Sequence, residues 1–159
     1  GVEPYLVASS LEAVLAQRLV RLLCPHCKQV DTTPGARDYK MKLGIELSTK
    51  VYRAVGCREC RNTGYHGRCA IFEWMDSSSE IRSLILKNSS TDIIRDAARR
   101  AGMKTLAEDG RRLVEQGIST IEEILSVTTV HEMESTDAKP NHQAPVTNGA
   151  EAALPRSLI

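Results

Sequence analysis

Two Cys-x-x-Cys pairs constrain this chain more than any other feature: Cys24 and Cys27 in "CPHC", and Cys57 and Cys60 in "CREC". Each pair delivers two thiols from one tight loop, and two such loops supply the four soft ligands of a tetrahedral metal site. Residues 28–56 separate the pairs, a longer spacer than a minimal zinc ribbon uses but short enough for one subdomain. A fold that uses both pairs must bring the chain back at Cys57 to where it left at Cys27. Four thiolates around one Zn²⁺ carry a net charge of about −2, and Lys28, Arg53, Arg58 and Arg61 lie close in sequence to soften it. Asn62 and Gly64 supply the turn conformations that a folded-back loop needs.

A redox motif of the thioredoxin kind has a single pair after a strand at a helix N-terminus, which two pairs do not match. With four cysteines available, His26 and His66 are expected to be exposed, and Cys69 to be a small strand residue facing a core. A shell closed by four thiolates leaves no position for an activated water. The pairs therefore predict a structural metal and no metal-assisted hydrolysis.

Composition narrows the class. A chain of 159 residues with 42% hydrophobic residues can bury a core without disulfide staples. Lys and Arg number 21 against 20 Asp and Glu, so no strong field points to nucleic acid, and one Trp, four Tyr and one Phe offer few stacking surfaces. No apolar run approaches the roughly 18 residues of a membrane span, and "GVEPYLVASS" has neither the basic region nor the apolar core of a signal peptide. The reading is a soluble, intracellular chain with no direct membrane insertion and no nucleic-acid partner.

Along the chain, Leu11, Val14, Leu15, Leu19 and Leu22 recur at intervals of three and four, which predicts a helix from Pro4 to Leu23. Residues 30–50 read as a connection with one short helix near Tyr39 to Leu43. "VYRAV" (51–55) and "RCAIFEWM" (68–75) read as strands of one small antiparallel ribbon. Short helices follow: "SSEIRSLILKN", "TDIIRDAARRAG", "MKTLAEDGRRLVEQG" and "TIEEILSVT", the last opening on a capping box of Thr120 and Glu123. Gly110 falls on the inward stripe of the third of these helices, which suggests a close backbone approach. The expected architecture is mainly α with a small β ribbon: a terminal helix (1–23), a tetracysteine subdomain with short strands (24–75), a helical bundle (76–130) and a disordered tail (131–159). Because the helices from Ser78 to Val127 carry their own stripes and caps, metal removal is expected to unfold only the region from Leu23 to Trp74.

"GVEPYLVASSLEAVLAQRLVRLLC", the cysteine pairs, "TGYHGRCAIFEWM" and "AGMKTLAEDGRRLVEQGISTIEEILSVT" together resemble the C-terminal part of the secretion traffic ATPases, the type II secretion and type IV pilus assembly ATPases. Several separate motifs occur in the family's order from Gly1 to Thr128. Pilus retraction ATPases lack the cysteine insert, so the resemblance favours assembly and secretion members. It implies a zinc-bearing knuckle on the ATPase core, a homo-hexamer at the cytoplasmic side of the inner membrane, and engagement of the machine's inner-membrane platform proteins. It also implies ATP and Mg²⁺, but through residues absent here: no G-x-x-x-x-G-K-[ST] occurs, and "AGMKT" has one glycine and no preceding strand. The chain is thus expected to be a C-terminal fragment or truncated member that needs an upstream ATPase core and does not hydrolyse ATP. On the predicted first helix, Arg18 and Arg21 lie about 60° apart, facing that core, a neighbouring subunit or ordinary surface carboxylates. The alternatives are a free-standing zinc ribbon and a DnaJ-like zinc knuckle; the latter repeats glycines after every pair, and "CPHCKQVD" has none.

Overall fold

The computed structural model describes residues 1–134, and residues 135–159 of the expected tail lie outside the described residues. Among the described residues the chain forms α1 (Pro4–Ser10), β1 (Ala13–Leu23), β2 (Gln29–Val30), α2 (Ala36–Lys42), β3 (Tyr52–Arg53), β4 (Tyr65–Asp76), α3 (Ser79–Leu86), α4 (Thr91–Arg100), α5 (Leu106–Glu115) and α6 (Ile121–Glu134). The chain is mostly α with two small antiparallel sheets, and no described helix is long and apolar enough to cross a membrane. Helix α6 continues past Val130 to Glu134, into the segment read as tail.

Two expectations are corrected. The predicted helix from Pro4 to Leu23 stops at Ser10, and residues 13–23 are a strand paired along its length with β4, from Ala13↔Asp76 to Leu23↔Tyr65. The segment has apolar residues on both faces of the ribbon, and a strand of that kind shows no clean alternation that distinguishes it from a helix. Pairing with β4 then overrides the helix preference of its leucines and alanines. The second correction concerns the partner of residues 51–55: β3 pairs with β2 (Gln29↔Arg53, Val30↔Tyr52), and β4 pairs with β1.

One face of the long ribbon is built from alternate residues, Ala16 and Val20 of β1 with Cys69 and Ile71 of β4, and it packs on α5 and α6. The core there joins Val20 and Ile71 to Leu43, Ile45 and Val51 from the segment between the cysteine pairs. Leu106, Leu113, Val114, Ile121 and Ile124 close it from the helices. Cys69 packs against this core, as a small strand residue should. A second, smaller cluster centres on Ile81, Ala97 and Ala98, where α3 meets α4. The helices therefore make two cores instead of one bundle. The opposite ribbon face leaves Leu15, Leu19, Phe72 and Trp74 half-exposed.

Helix starts are marked as the chemistry requires. The Ser78 hydroxyl accepts the Ile81 N–H at 3.3 Å, and Thr105 with Glu108 forms a complete capping box at α5. At α6 only half of the expected box exists. Thr120 Oγ1 accepts the Glu123 N–H at 3.2 Å, but the Glu123 carboxylate turns away to Arg21.

Candidate metal centre

The two ribbons explain why four distant cysteines meet. Strand β1 runs into the first pair and β4 leaves the second, while β2 leaves the first and β3 leads back to the second. With β1 held to β4 and β2 to β3, the two Cys-x-x-Cys loops close on each other from both sides. The four Sγ atoms lie within 4.8 Å of one another. Three separations, Cys24–Cys57, Cys27–Cys60 and Cys57–Cys60, are each 3.8 Å. A disulfide needs about 2.05 Å, so these are free thiols gathered around a common centre that could hold a metal ion.

Each loop is fastened by backbone hydrogen bonds. Lys28 N–H donates to the Cys24 carbonyl at 3.1 Å, and Asn62 N–H to the Cys57 carbonyl at 2.8 Å. Further N–H groups point at sulfur: Gly56 to Cys27 at 3.3 Å, Cys57 to Cys60 at 3.1 Å and Gly64 to Cys60 at 3.2 Å. Asn62 and Gly64 both have positive φ, as the turn requires, and Arg61 joins them at 53°. A Cβ on Gly64 would stand 2.6 Å from the Ala54 Cβ, so the close return of the second loop needs glycine there.

Desolvation, N–H donors and neighbouring thiols move Cys60 and Cys27 in opposite directions. At Cys60 burial disfavours the charge, but the N–H groups of Cys57 and Gly64 and the adjacent thiols outweigh it and bring the thiol down to about 6. At Cys27 burial dominates and the thiol is pushed up to about 11, against one opposing N–H from Gly56. A thiolate already favoured near neutral pH is the form that a metal captures. His26 and His66 are exposed and neither joins the cluster. Of the four cations expected to soften the cluster's charge, Lys28 instead donates to the Gly117 carbonyl at 2.7 Å, and Arg53 bonds Gln29 at 2.8 Å.

A clamp that sequence reasoning missed ties the base of the knuckle to α6. Arg21 Nε and Nη2 donate to Glu123 Oε2 at 2.9 and 2.6 Å, and the Arg21 backbone N–H donates to Oε1 at 3.0 Å. The guanidinium also stacks on Tyr65, 4.0 Å from the ring centroid. The only signal in the sequence was Thr120-x-x-Glu123, which reads as a cap. In a strand, Arg18 and Arg21 fall on opposite faces, so they do not share the helix side expected of them; the Arg18 Nη1 donates to the Gln17 carbonyl at 2.9 Å.

Burial opposes the charge of Glu123, and the hydrogen bonds from Arg21 outweigh it, so the carboxyl is held below its ordinary value of 4.5. A lowered folded-state value means that this contribution is complete above the unfolded glutamate range and fades as pH falls through the folded one. Arg21→Ala leaves a side chain that is only 8% exposed without its cation. It is expected to cost about 1–3 kcal/mol at pH 7 and to shift the midpoint of acid unfolding to higher pH. Urea titrations across pH check both, and an unchanged acid midpoint counts against the clamp.

Comparison with known proteins meets this geometry. Residues 1–126 match the family model of the type II/IV secretion system proteins. The type IV pilus assembly ATPase PilB of Thermus thermophilus is 43% identical over 132 residues, covering 80% of this chain and 15% of that protein. The type II secretion system protein HxcR of Pseudomonas aeruginosa is 45% identical over 128 residues (80% and 24%). The type II secretion system protein E of the same organism is 41% identical over 128 residues (80% and 25%). The chain thus spans a quarter or less of the length of these relatives. With most of its length inside the family model, and secretion and pilus members alike among its relatives, the chain belongs to the family of type II/IV secretion system proteins.

Proposed function

We propose that this chain is the zinc-binding, C-terminal region of a hexameric traffic ATPase that powers type II secretion or type IV pilus assembly, with Cys24, Cys27, Cys57 and Cys60 as the zinc ligands. The observation that carries the metal assignment is the sulfur spacing. Zinc–thiolate bonds of about 2.3 Å arranged as a tetrahedron set the sulfurs about 3.8 Å apart, and three Sγ pairs stand at 3.8 Å. Held by Cys24, Cys27, Cys57 and Cys60, such an ion would cross-link the two loops and serve a structural rather than a hydrolytic role. It would fix the two loops against each other at the end of the long ribbon, and the family membership supports a reading in which that end meets the inner-membrane platform at the cytoplasmic side. ATP and Mg²⁺ belong to the parent protein's core through residues outside this sequence.

Elemental analysis of the purified chain is expected to give one zinc per molecule, and none in the Cys57→Ser, Cys60→Ser variant. Zinc absent from the parent chain, or retained in full by the variant, overturns the assignment. The same preparation is expected to show no ATP turnover and no micromolar ATP binding, because a cradle for the β and γ phosphates is missing. Turnover removed by a substitution within this chain contradicts that reading.

A further inference from the structure

Arg21 and Arg68 are direct partners across β1 and β4, so two cationic side chains leave the ribbon at the same level where it enters the knuckle. Like charges placed directly opposite destabilise a ribbon, and the one carboxylate bonded there, Glu123, is committed to Arg21. Arg68 makes no hydrogen bond or ion pair among the described residues and feels Glu123 only at longer range. Arg21 is held still by Glu123 and by the Tyr65 ring, and the Tyr65 hydroxyl is in turn 3.1 Å from Thr120 Oγ1. Its Nη1 donors remain unused among the described residues.

Both arginines line a surface groove of about 380 Å³ with Thr63, Tyr65 and Gly67. The groove continues past Thr63, Tyr65 and Gly67 into a second hollow of about 380 Å³ bordered by Arg61, His66, Glu59 and the cluster residue Cys60. The result is an open channel with a partly aromatic floor and more cations than anions on its rim. We propose that this groove binds the carboxylate of an acidic polypeptide segment presented by another protein, with Arg68 as the principal fork and Arg21 as the fixed second donor.

The donor set favours a carboxylate over a phosphate. A bidentate carboxylate is satisfied by one or two planar guanidinium forks. A phosphate asks for several converging donors, and the Thr63 hydroxyl is already spent on the Cys60 carbonyl at 2.7 Å and the Tyr65 carbonyl at 3.0 Å. The open, elongated shape suits a chain that passes along the surface, with its apolar residues over Tyr65 and its acidic ones at the arginines. The cations belong to β1, β4 and the second loop, and none of them is a metal ligand.

The test uses the whole chain and a short labelled peptide alternating glutamate with leucine, followed by fluorescence anisotropy. Saturable binding is expected, weakened by added salt and lost when glutamine replaces glutamate in the peptide. Arg68→Ala is expected to weaken it about tenfold or more, with Arg68→Lys intermediate. Arg58→Ala, an exposed arginine that does not line the groove, is expected to leave it unchanged. Arg68 has no bonding partner to lose, so circular dichroism and zinc content stay at parent values. Equal losses in the Arg58 and Arg68 variants overturn the proposal in favour of diffuse charge. So does Arg68-dependent binding of phosphatidylglycerol vesicles or of a single-stranded oligonucleotide with none of the peptide.

Discussion

Serine at both Cys57 and Cys60 is expected to abolish metal binding and, with it, most of the helical circular dichroism of the chain. The sequence alone predicted a local effect, because the helices after Ser78 carry their own stripes and caps. The structure reverses that expectation: Leu43, Ile45 and Val51, all between the cysteine pairs, share one core with Leu106, Leu113, Val114, Ile121 and Ile124. A structural zinc contributes roughly 10–16 kcal/mol to its folded site, while a whole domain is stable by about 5–15 kcal/mol, so loss of the ion decides whether the shared core survives. Helices α3 and α4, of 8 and 10 residues, are too short to stand alone once β4, whose Met75 packs on their cluster, loosens. Chelation of the parent chain is expected to give the same result as the double substitution. Hydrogen exchange provides the finer measurement. Protection in α5 and α6 that survives metal loss unchanged means that the knuckle is an appendage, and that the Val51 contact with these helices is dispensable.

That the two cysteine pairs meet in one cluster was legible because their chemistry is local. Cys-x-x-Cys prescribes a loop, and Asn62 and Gly64 prescribe its return, whatever lies elsewhere in the chain. The helices after Ser78 were legible for a similar reason, since their apolar stripes act within one or two turns, although the box at Thr105 and Glu108 went unread and the one read at Thr120 is only half made. What failed depended on partners distant in sequence. Residues 13–23 have leucines and alanines that suit a helix, and only the presence of residues 65–76 opposite them makes a strand. Which of the short segments pairs with which is likewise a matter of topology. The ribbons had to run β1 with β4 and β2 with β3 to bring the thiols together, an arrangement that hydrophobic periodicity does not encode. Glu123 shows the same limit at one side chain. A carboxylate three residues after Thr120 satisfies a capping rule, yet an arginine on another element outcompetes the local N–H for it.

Gly110 is the position where a single methyl group is expected to do the most damage. It is buried on α5 against α6, and a Cβ built there stands 2.5 Å from Ile124 Cγ2, 3.0 Å from Cδ1 and 3.2 Å from Cγ1. Its backbone is helical, so alanine gains about 1 kcal/mol of intrinsic helix preference over glycine. Against that stands overpacking, which costs about 1–3 kcal/mol in a well-filled core. Ile124 is fully buried and β-branched, with a stiff χ1, so its Cγ2 cannot swing aside as the end of a flexible chain would. The clash is therefore expected to win: Gly110→Ala lowers the unfolding free energy by about 1–2 kcal/mol, and Gly110→Val by more, since it adds branches toward the same methyl. A double-mutant cycle separates this from any general weakening of α5. Ile124→Ala alone is expected to cost about 2–5 kcal/mol through the cavity that it leaves, but alanine at both positions costs less than the sum, because the new methyl occupies part of that cavity. Urea unfolding of the four proteins gives the coupling directly. A Gly110→Ala chain more stable than the parent shows that α5 and α6 have slack between them, and that glycine is not required at this contact.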